Sequence, residues 1–158
     1  MAADKAVPGR YLSFILGNGA YAVPVTNVEM VLDTPAITRV PNAAPHLRGV
    51  INYRGSVVPI VDPLIRFGQA EVDTQSGSSV IVLQMKFEGD DIVVGMLADG
   101  VREVFDVAEN EIEDAPAIGA MVSGDFVAGV VKAGTEFIVV LDVEAAFASS
   151  GADAGTAA

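Results

Sequence analysis

The chain has no cysteine, no tryptophan and one histidine in 158 residues. Without thiols it can form no disulfide, no thiolate metal centre and no cysteine nucleophile. A single imidazole, His46, leaves no paired-histidine metal site either; it follows Pro45 at a strand entrance, where a structural or solvent-facing role is expected. Cations are scarce as well. Nine Lys and Arg face 21 Asp and Glu, for a net charge of −12, which argues against a nucleic-acid partner because phosphates call for basic surface. No apolar run approaches the ~18 residues of a membrane span, and Met1 to Gly9 lacks the hydrophobic core of a signal peptide. The expectation is a cytoplasmic protein with no direct membrane insertion.

Catalytic signatures are missing too. The chain contains no Gly-x-Ser-x-Gly elbow, no phosphate-binding Gly-x-x-x-x-Gly-Lys-Ser/Thr loop and no Gly-x-Gly-x-x-Gly after a first strand. Glu88-Gly-Asp-Asp91 lacks the ligand spacing of a calcium loop and reads as a hairpin tip. Glu109, Glu111, Glu113 and Asp114 read as a solvated acidic connection rather than an acid/base pair. No enzyme, metal or cofactor is expected, and the weight falls on binding.

What the chain does have is β-sheet material. Half of it is apolar (51%), and at this length one domain, or two small subdomains sharing a core, buries roughly 70% of the unfolded surface. Tyr11–Leu16 and Tyr21–Val25 bracket Gly17-Asn18-Gly19 as a hairpin. Thr26 is expected to cap a short helical turn running to Met30, and Pro35, Pro41 and Pro45 break the next stretch into an irregular connection. Phe67 to Gly77 reads as an exposed loop. Ser79–Phe87 and Ile92–Leu97 pair, a last hairpin runs from Phe126 to Leu141 with its turn at Gly134, and Asp142 starts a short helix over Val143–Ala148. The expected organisation is a flexible leader over 1–9, one domain over 10–149 and a disordered tail over 150–158.

The organising stretch is His46 to Asp62. Gly49–Tyr53 and Val57–Val61 flank the turn Arg54-Gly55-Ser56, so a planar cationic fork stands at the tip of a rigid hairpin. Hairpin tips are also polar simply because they are wet. From Thr34 to Gln69 four arginines (Arg39, Arg48, Arg54, Arg66) face one acid, Asp62, a net +3 that leaves −15 for the rest of the chain. Such a zone on an acidic body can steer an acidic partner to one face.

The hairpin recurs. Gly49–Asp62 lines up without gaps on Gly129–Asp142, and Val28–Asp33 lines up on Val101–Asp106, at offsets of 80 and 73. A multi-strand unit therefore occurs twice, and two units too small to bury their own apolar faces are expected to pack over a shared core.

These residues carry a family resemblance. Tyr11-x-x-Phe14, Tyr21, Val28, Val40-Pro41, Arg48-Gly-Val-Ile-Asn-Tyr-Arg-Gly55, Pro59-Ile-Val-Asp62, Arg66-Phe-Gly68, Val80-Ile-Val-Leu83, Gly95, Asp99-Gly-Val101 and Glu103-Val104 occur in the order and spacing of the CheW family. They span nearly all of residues 10 to 148. The resemblance implies a mainly β fold of two SH3-like five-stranded barrels packed on a shared core, with short helices including one near the C-terminus. It also implies a non-catalytic adaptor that couples the cytoplasmic hairpin tip of chemoreceptors to the P5 regulatory domain of the histidine kinase CheA, recruited to membrane-associated receptor arrays. By motif, Val28, Met30, Gly49, Arg54, Gly95 and Val104 would line a receptor-binding groove between the barrels, a helix-in-groove mode. Ile37, Thr38, Arg39 and Val40 would face the kinase. An adaptor of a related array controlling pili or development is the alternative.

Two positions depart from the family pattern. Many relatives carry a glutamate where Met30 falls, so a carboxylate partner for Arg54 is in question, although the second repeat has Glu103 there. Pro63 replaces a usual leucine and is expected to shorten the strand before it.

Overall fold

Short apolar runs punctuated by glycine turns build eleven strands among the described residues, which in this computed structural model are 6–74, 77–113 and 127–145. They are β1 (Gly9–Leu16), β2 (Gly19–Pro24), β3 (Val28–Asp33), β4 (Leu47–Tyr53), β5 (Ser56–Val61), β6 (Ser79–Phe87), β7 (Asp90–Ala98), β8 (Gly100–Val107), β9 (Ile112–Glu113), β10 (Val127–Ala133) and β11 (Glu136–Leu141). One helix, α1 (Pro63–Arg66), follows β5. The strands form two sheets, ordered β8-β1-β2-β11-β10-β9 and β3-β6-β7-β5-β4.

The repeat read from the sequence is present in the hydrogen-bond register. In the β4–β5 hairpin Leu47 opposes Val61, Gly49 opposes Ile60 and Tyr53 opposes Ser56, with a bulge before Gly49. Eighty residues later Val127 opposes Leu141, Gly129 opposes Val140 and Ala133 opposes Glu136, with a bulge at the same place. β3 and β8 match as well. Val28 opposes Leu83 and Met30 opposes Val82, so Glu29 is the extra residue; Val101 opposes Phe14 and Val104 opposes Leu12, with the irregularity at Arg102 and Glu103. Parallel pairing completes each sheet, Ile60 beside Gly95 in one and Val140 beside Ala22 in the other. The N-terminal β1–β2 hairpin thus takes the place in the six-stranded sheet that β6–β7 takes in the five-stranded one. The sixth strand, β9, has only an isolated bridge as its counterpart, between Thr38 and Val50.

This exchange produces the shared core. The larger buried cluster joins Leu12, Phe14 and Leu16 of β1, with Tyr21 and Val23, to Ile60, Val80, Val82, Leu83 and Met96 of the other sheet. Tyr11, Ala22, Val131, Ile138 and Val140 form a smaller core on the opposite face of the six-stranded sheet. Both faces of β1 are therefore covered, and period-two alternation sends its residues to two cores.

Several expectations need correction. No helical turn starts at Thr26; a 3-10 turn spans Val25–Asn27 and Val28–Met30 already belong to β3. Pro63 does not shorten β5, which ends at Val61 just as β11 ends at Leu141, 80 residues on. Instead Pro63 occupies the first position of α1, where a missing N–H costs nothing, and Asp62 caps that helix. The segment after Phe67 is not wholly exposed, because Val72 is buried in the core. The leader is tied down from Ala6, whose N–H donates to the Ala128 carbonyl, and the Tyr11 hydroxyl donates to the Val7 carbonyl. At the other end the Ala145 N–H donates to Asp142 Oδ1. Residues 1–5, Asp114, Phe126, the end of the expected helix at Ala148 and the expected tail over 150–158 lie outside the described residues.

Candidate functional site

The β4–β5 turn is built from two residues with positive φ, Arg54 at 51° and Gly55 at 83°. That is the geometry of a tight two-residue hairpin loop, whose twist matches the flanking strands. Asn52 Oδ1 accepts from the Gly55 N–H at 2.9 Å and fastens the turn from inside. A non-glycine residue in the left-handed region is strained, and the repeat shows the relaxed alternative: the matching position is Gly134, with φ 63°. The first hairpin keeps an arginine where its twin keeps a glycine. The exposed Arg54 guanidinium carbon lies 5.0 Å from the centroid of the Tyr53 ring, a cation–π distance.

The other groove residues fall on the sheet in a definite pattern. Met30, Val82, Gly95, Ile60 and Gly49 occupy one cross-strand row of the five-stranded sheet, read directly from the pairings. Met30 and Val28 are half-buried and pack on the larger core. Gly95 is buried where a Cβ would stand 2.4 Å from Ile60 Cδ1 and 2.9 Å from Val80 Cγ1, so it makes room for core side chains. Gly49 has φ 144°, and a Cβ there would stand 2.2 Å from the Thr38 carbonyl oxygen. Val104 is on β8 of the other sheet and 52% exposed. The structure therefore brings Val28, Met30, Gly49, Arg54 and Gly95 together on one sheet and places Val104 on its neighbour. The glycines act through packing rather than contact.

Of the second set, Thr38 bridges to Val50 by a reciprocal pair of backbone hydrogen bonds, 2.9 and 2.8 Å. Ile37, Arg39 and Val40 help line an open cavity of about 700 Å³ in the 34–45 segment, together with Arg48 and Glu71. The exposed apolar positions also repeat. Val31 on β3 matches Val104 on β8, and Val57 on β5 matches Phe137 on β11, all four exposed.

Sequence reasoning overlooked an anchor and a platform. Asp62 is fully buried and accepts from Arg48 Nη1 at 2.8 Å, Val72 N at 2.9 Å, Leu64 N at 3.0 Å and Ile65 N at 3.5 Å. Arg48, counted in the basic zone, is thereby paired and also donates to the Val72 carbonyl. The -Pro-Ile-Val-Asp- run contained that signal, since a buried carboxylate after a strand demands donors. The platform is Tyr53, 9% exposed at the rim of its sheet. Burial first, then the carboxylate of Glu29, push its phenol above the usual range, while Arg54 pulls it down.

Burial raises Tyr11 and Tyr21 as well, with the Val7 carbonyl partly offsetting it for Tyr11. These are all three tyrosines in the chain. Each has a folded pKa above its unfolded value, so the unfolded chain holds fewer protons once pH passes about 10. Stability then falls with rising pH. Phenolate absorbance is expected to appear only above pH 10, in step with loss of near-ultraviolet dichroism; a normal titration of all three phenols in the folded protein would contradict these burials.

No helix among the described residues is long and apolar enough to cross a membrane. The family model for the CheW-like domain matches residues 10–151. A chemotaxis protein CheW of Thermotoga maritima is 33% identical over 142 residues, 90% of this chain and 89% of that protein. Its counterpart from Klebsiella aerogenes is 30% identical over 142 residues, 90% of this chain and 83% of that one. The crystal structure of the scaffolding protein TtCheW from Thermoanaerobacter tengcongensis superposes with a TM-score of 0.73 at 27% identity, covering 85% of this chain and 89% of that one. Twin sheets of matching register, a strained arginine turn and these likenesses lead to one conclusion: the chain belongs to the CheW-like domain family, a family of non-catalytic scaffolds.

Proposed function

We propose that this protein is a chemotaxis adaptor that joins the cytoplasmic hairpin tip of chemoreceptors to the P5 regulatory domain of the histidine kinase CheA, at membrane-associated receptor arrays. The observation that carries the receptor side is Arg54. Its backbone strain is relieved in the twin hairpin by Gly134, and strain kept at an exposed tip fits a contact role. Val28 and Met30 on the same sheet and the exposed Val104 on the other would supply apolar area while the guanidinium sets orientation, the usual division between contact and orientation.

For the kinase side, Ile37, Thr38, Arg39 and Val40 are exposed to half-buried, and Ile37, Arg39 and Val40 line the cavity of the 34–45 segment. The matched apolar pairs Val31/Val104 and Val57/Phe137 put the same kind of contact on each sheet. That arrangement suits a partner built on the same plan.

Mixing the purified chain with a receptor hairpin fragment and the P5 domain, each alone and then together, tests the reading. One ternary complex at micromolar concentrations is expected, and no binding to either partner overturns it.

A further inference from the structure

We propose that Glu103 is a recognition residue: held outward beside Val104 by the buried Ser13, it takes a basic side chain of the receptor hairpin, an assignment that rests on the function proposed above. Exposure along β8 is the first sign. Arg102, Glu103 and Val104 are exposed in succession. Strict alternation would put Val101, Glu103 and Phe105 on one face, yet Val101 packs on the larger core while Phe105 packs on the smaller one. The bulge shifts the alternation between them. Phe14 opposes Val101 and Leu12 opposes Val104, which leaves Ser13 to face both Arg102 and Glu103. Bulges of this kind re-aim side chains.

Ser13 is 1% exposed, and its hydroxyl serves one residue twice. Ser13 Oγ donates to the Glu103 carbonyl at 3.0 Å and accepts from the Glu103 N–H at 3.2 Å. A buried hydroxyl engaged on both backbone groups of one residue fixes where that side chain leaves the strand. The first repeat has no such clamp, because Val82 stands opposite Met30, the match of Glu103. Arg102 is occupied elsewhere: its Nη1 donates to both carboxylate oxygens of Glu136, at 3.1 Å each. Glu103 and Val104 are what the bulge leaves for a partner.

Charge says what that partner offers. Among the described residues neither Glu103 nor Arg54 forms an ion pair. The first repeat has Arg54 at its turn and Met30 on its edge strand; the second has Glu103 on its edge strand and Gly134 at its turn. Each sheet thus presents one half of an ion pair, the cation on one and the anion on the other. A partner that lies against both needs a carboxylate for Arg54, and an Arg or Lys beside an apolar side chain for Glu103 and Val104. A helix carries such a base and apolar residue one turn apart on a single face.

The test uses the full chain and two readouts. Amide hydrogen exchange of the unbound protein reads the clamp: protection of the Glu103 N–H should fall about five- to ten-fold in Ser13→Ala, with far-ultraviolet dichroism unchanged. Affinity for a receptor hairpin fragment reads the recognition, with Arg54→Ala as the control. Glu103→Gln should weaken binding about three- to ten-fold and flatten its salt dependence. Glu103→Lys should weaken it by more than about ten-fold, and changing one Arg or Lys of the fragment to Glu should restore binding to that variant while weakening binding to the parent chain. Unchanged protection of Glu103 in Ser13→Ala overturns the clamp. Glu103→Lys binding like the parent, while Arg54→Ala binds weakly, overturns the recognition and leaves the receptor reading standing. A fragment that binds neither the parent nor any variant overturns both.

Discussion

Asp62→Ala is expected to lower unfolding stability by about 3 to 5 kcal/mol, the cost of stripping one partner from a buried ion pair. For a domain whose whole margin is about 5 to 15 kcal/mol, that leaves a partly unfolded population near physiological temperature. One carboxylate serves four donors drawn from three segments: Arg48 on β4, the first turn of α1, and Val72 in the returning loop. Alanine leaves the Leu64 and Val72 N–H groups buried without an acceptor and Arg48 without its counter-charge. The anion, not the pair, is the hub, which fixes an order among variants. Arg48→Met should cost less, because three backbone donors still hold Asp62. Removing both side chains should not restore stability, as it would if the ion pair alone mattered. Urea midpoints at constant slope measure all three; a double variant as stable as the parent would show that the backbone donors contribute nothing.

The second large effect is at Gly49, and the repeat supplies its control. A Cβ at Gly49 would lie 2.2 Å from the Thr38 carbonyl oxygen and 2.7 Å from Ile37 Cγ2, on backbone with φ 144°. Either the Thr38–Val50 bridge opens or β4 shifts, so Gly49→Ala should cost about 2 to 4 kcal/mol from overpacking and backbone strain together. At Gly129, its match in β10, the nearest atoms to a Cβ are Ala6 Cβ at 3.2 Å and the Glu113 oxygen at 3.4 Å, and φ is not positive. Gly129→Ala should cost under about 1 kcal/mol, since small adjustments of Ala6 and β9 relieve it. Equal losses at the two glycines would mean that the crossing of residues 37 and 38 over β4 does not set the demand. Receptor or kinase affinity lost in Gly49→Ala would then be read with its stability, because this glycine shapes the 34–45 segment from below.

Much of this architecture was legible in the residues. The Arg54-Gly55 turn, the β6–β7 pair and both halves of the repeat follow from Val-rich runs separated by glycine turns, and a period of two leaves little freedom in register. The chain-exchange of β1–β2 was not legible, since nothing in a hairpin says which sheet it joins. Pro63 was misread because a proline after a strand looks like a strand breaker; with Asp62 ahead of it, the same residue opens a helix. Val72 was lost among Gly, Gln, Asp, Thr and Ser, because one apolar residue makes no pattern. Arg48 counted as surface charge for the same kind of reason: its partner lies across a hairpin, and a bulge sets their alignment.

The site residues divide along the same line. Arg54 was visible as a cation at a hairpin tip, and the structure adds that its backbone has positive φ and that its twin is a glycine. Gly49 and Gly95 came from motif matching; their structural task is to let Thr38 and Ile60 approach. Their tie to a receptor groove is one of shape.

The most direct measurement is the affinity of the full chain and of Arg54→Ala for a receptor hairpin fragment, with the P5 domain as the second ligand. The account predicts receptor binding weaker by about 1 to 3 kcal/mol, roughly five- to 160-fold, with unchanged P5 affinity and an intact fold. Equal receptor affinity in the two proteins would contradict it.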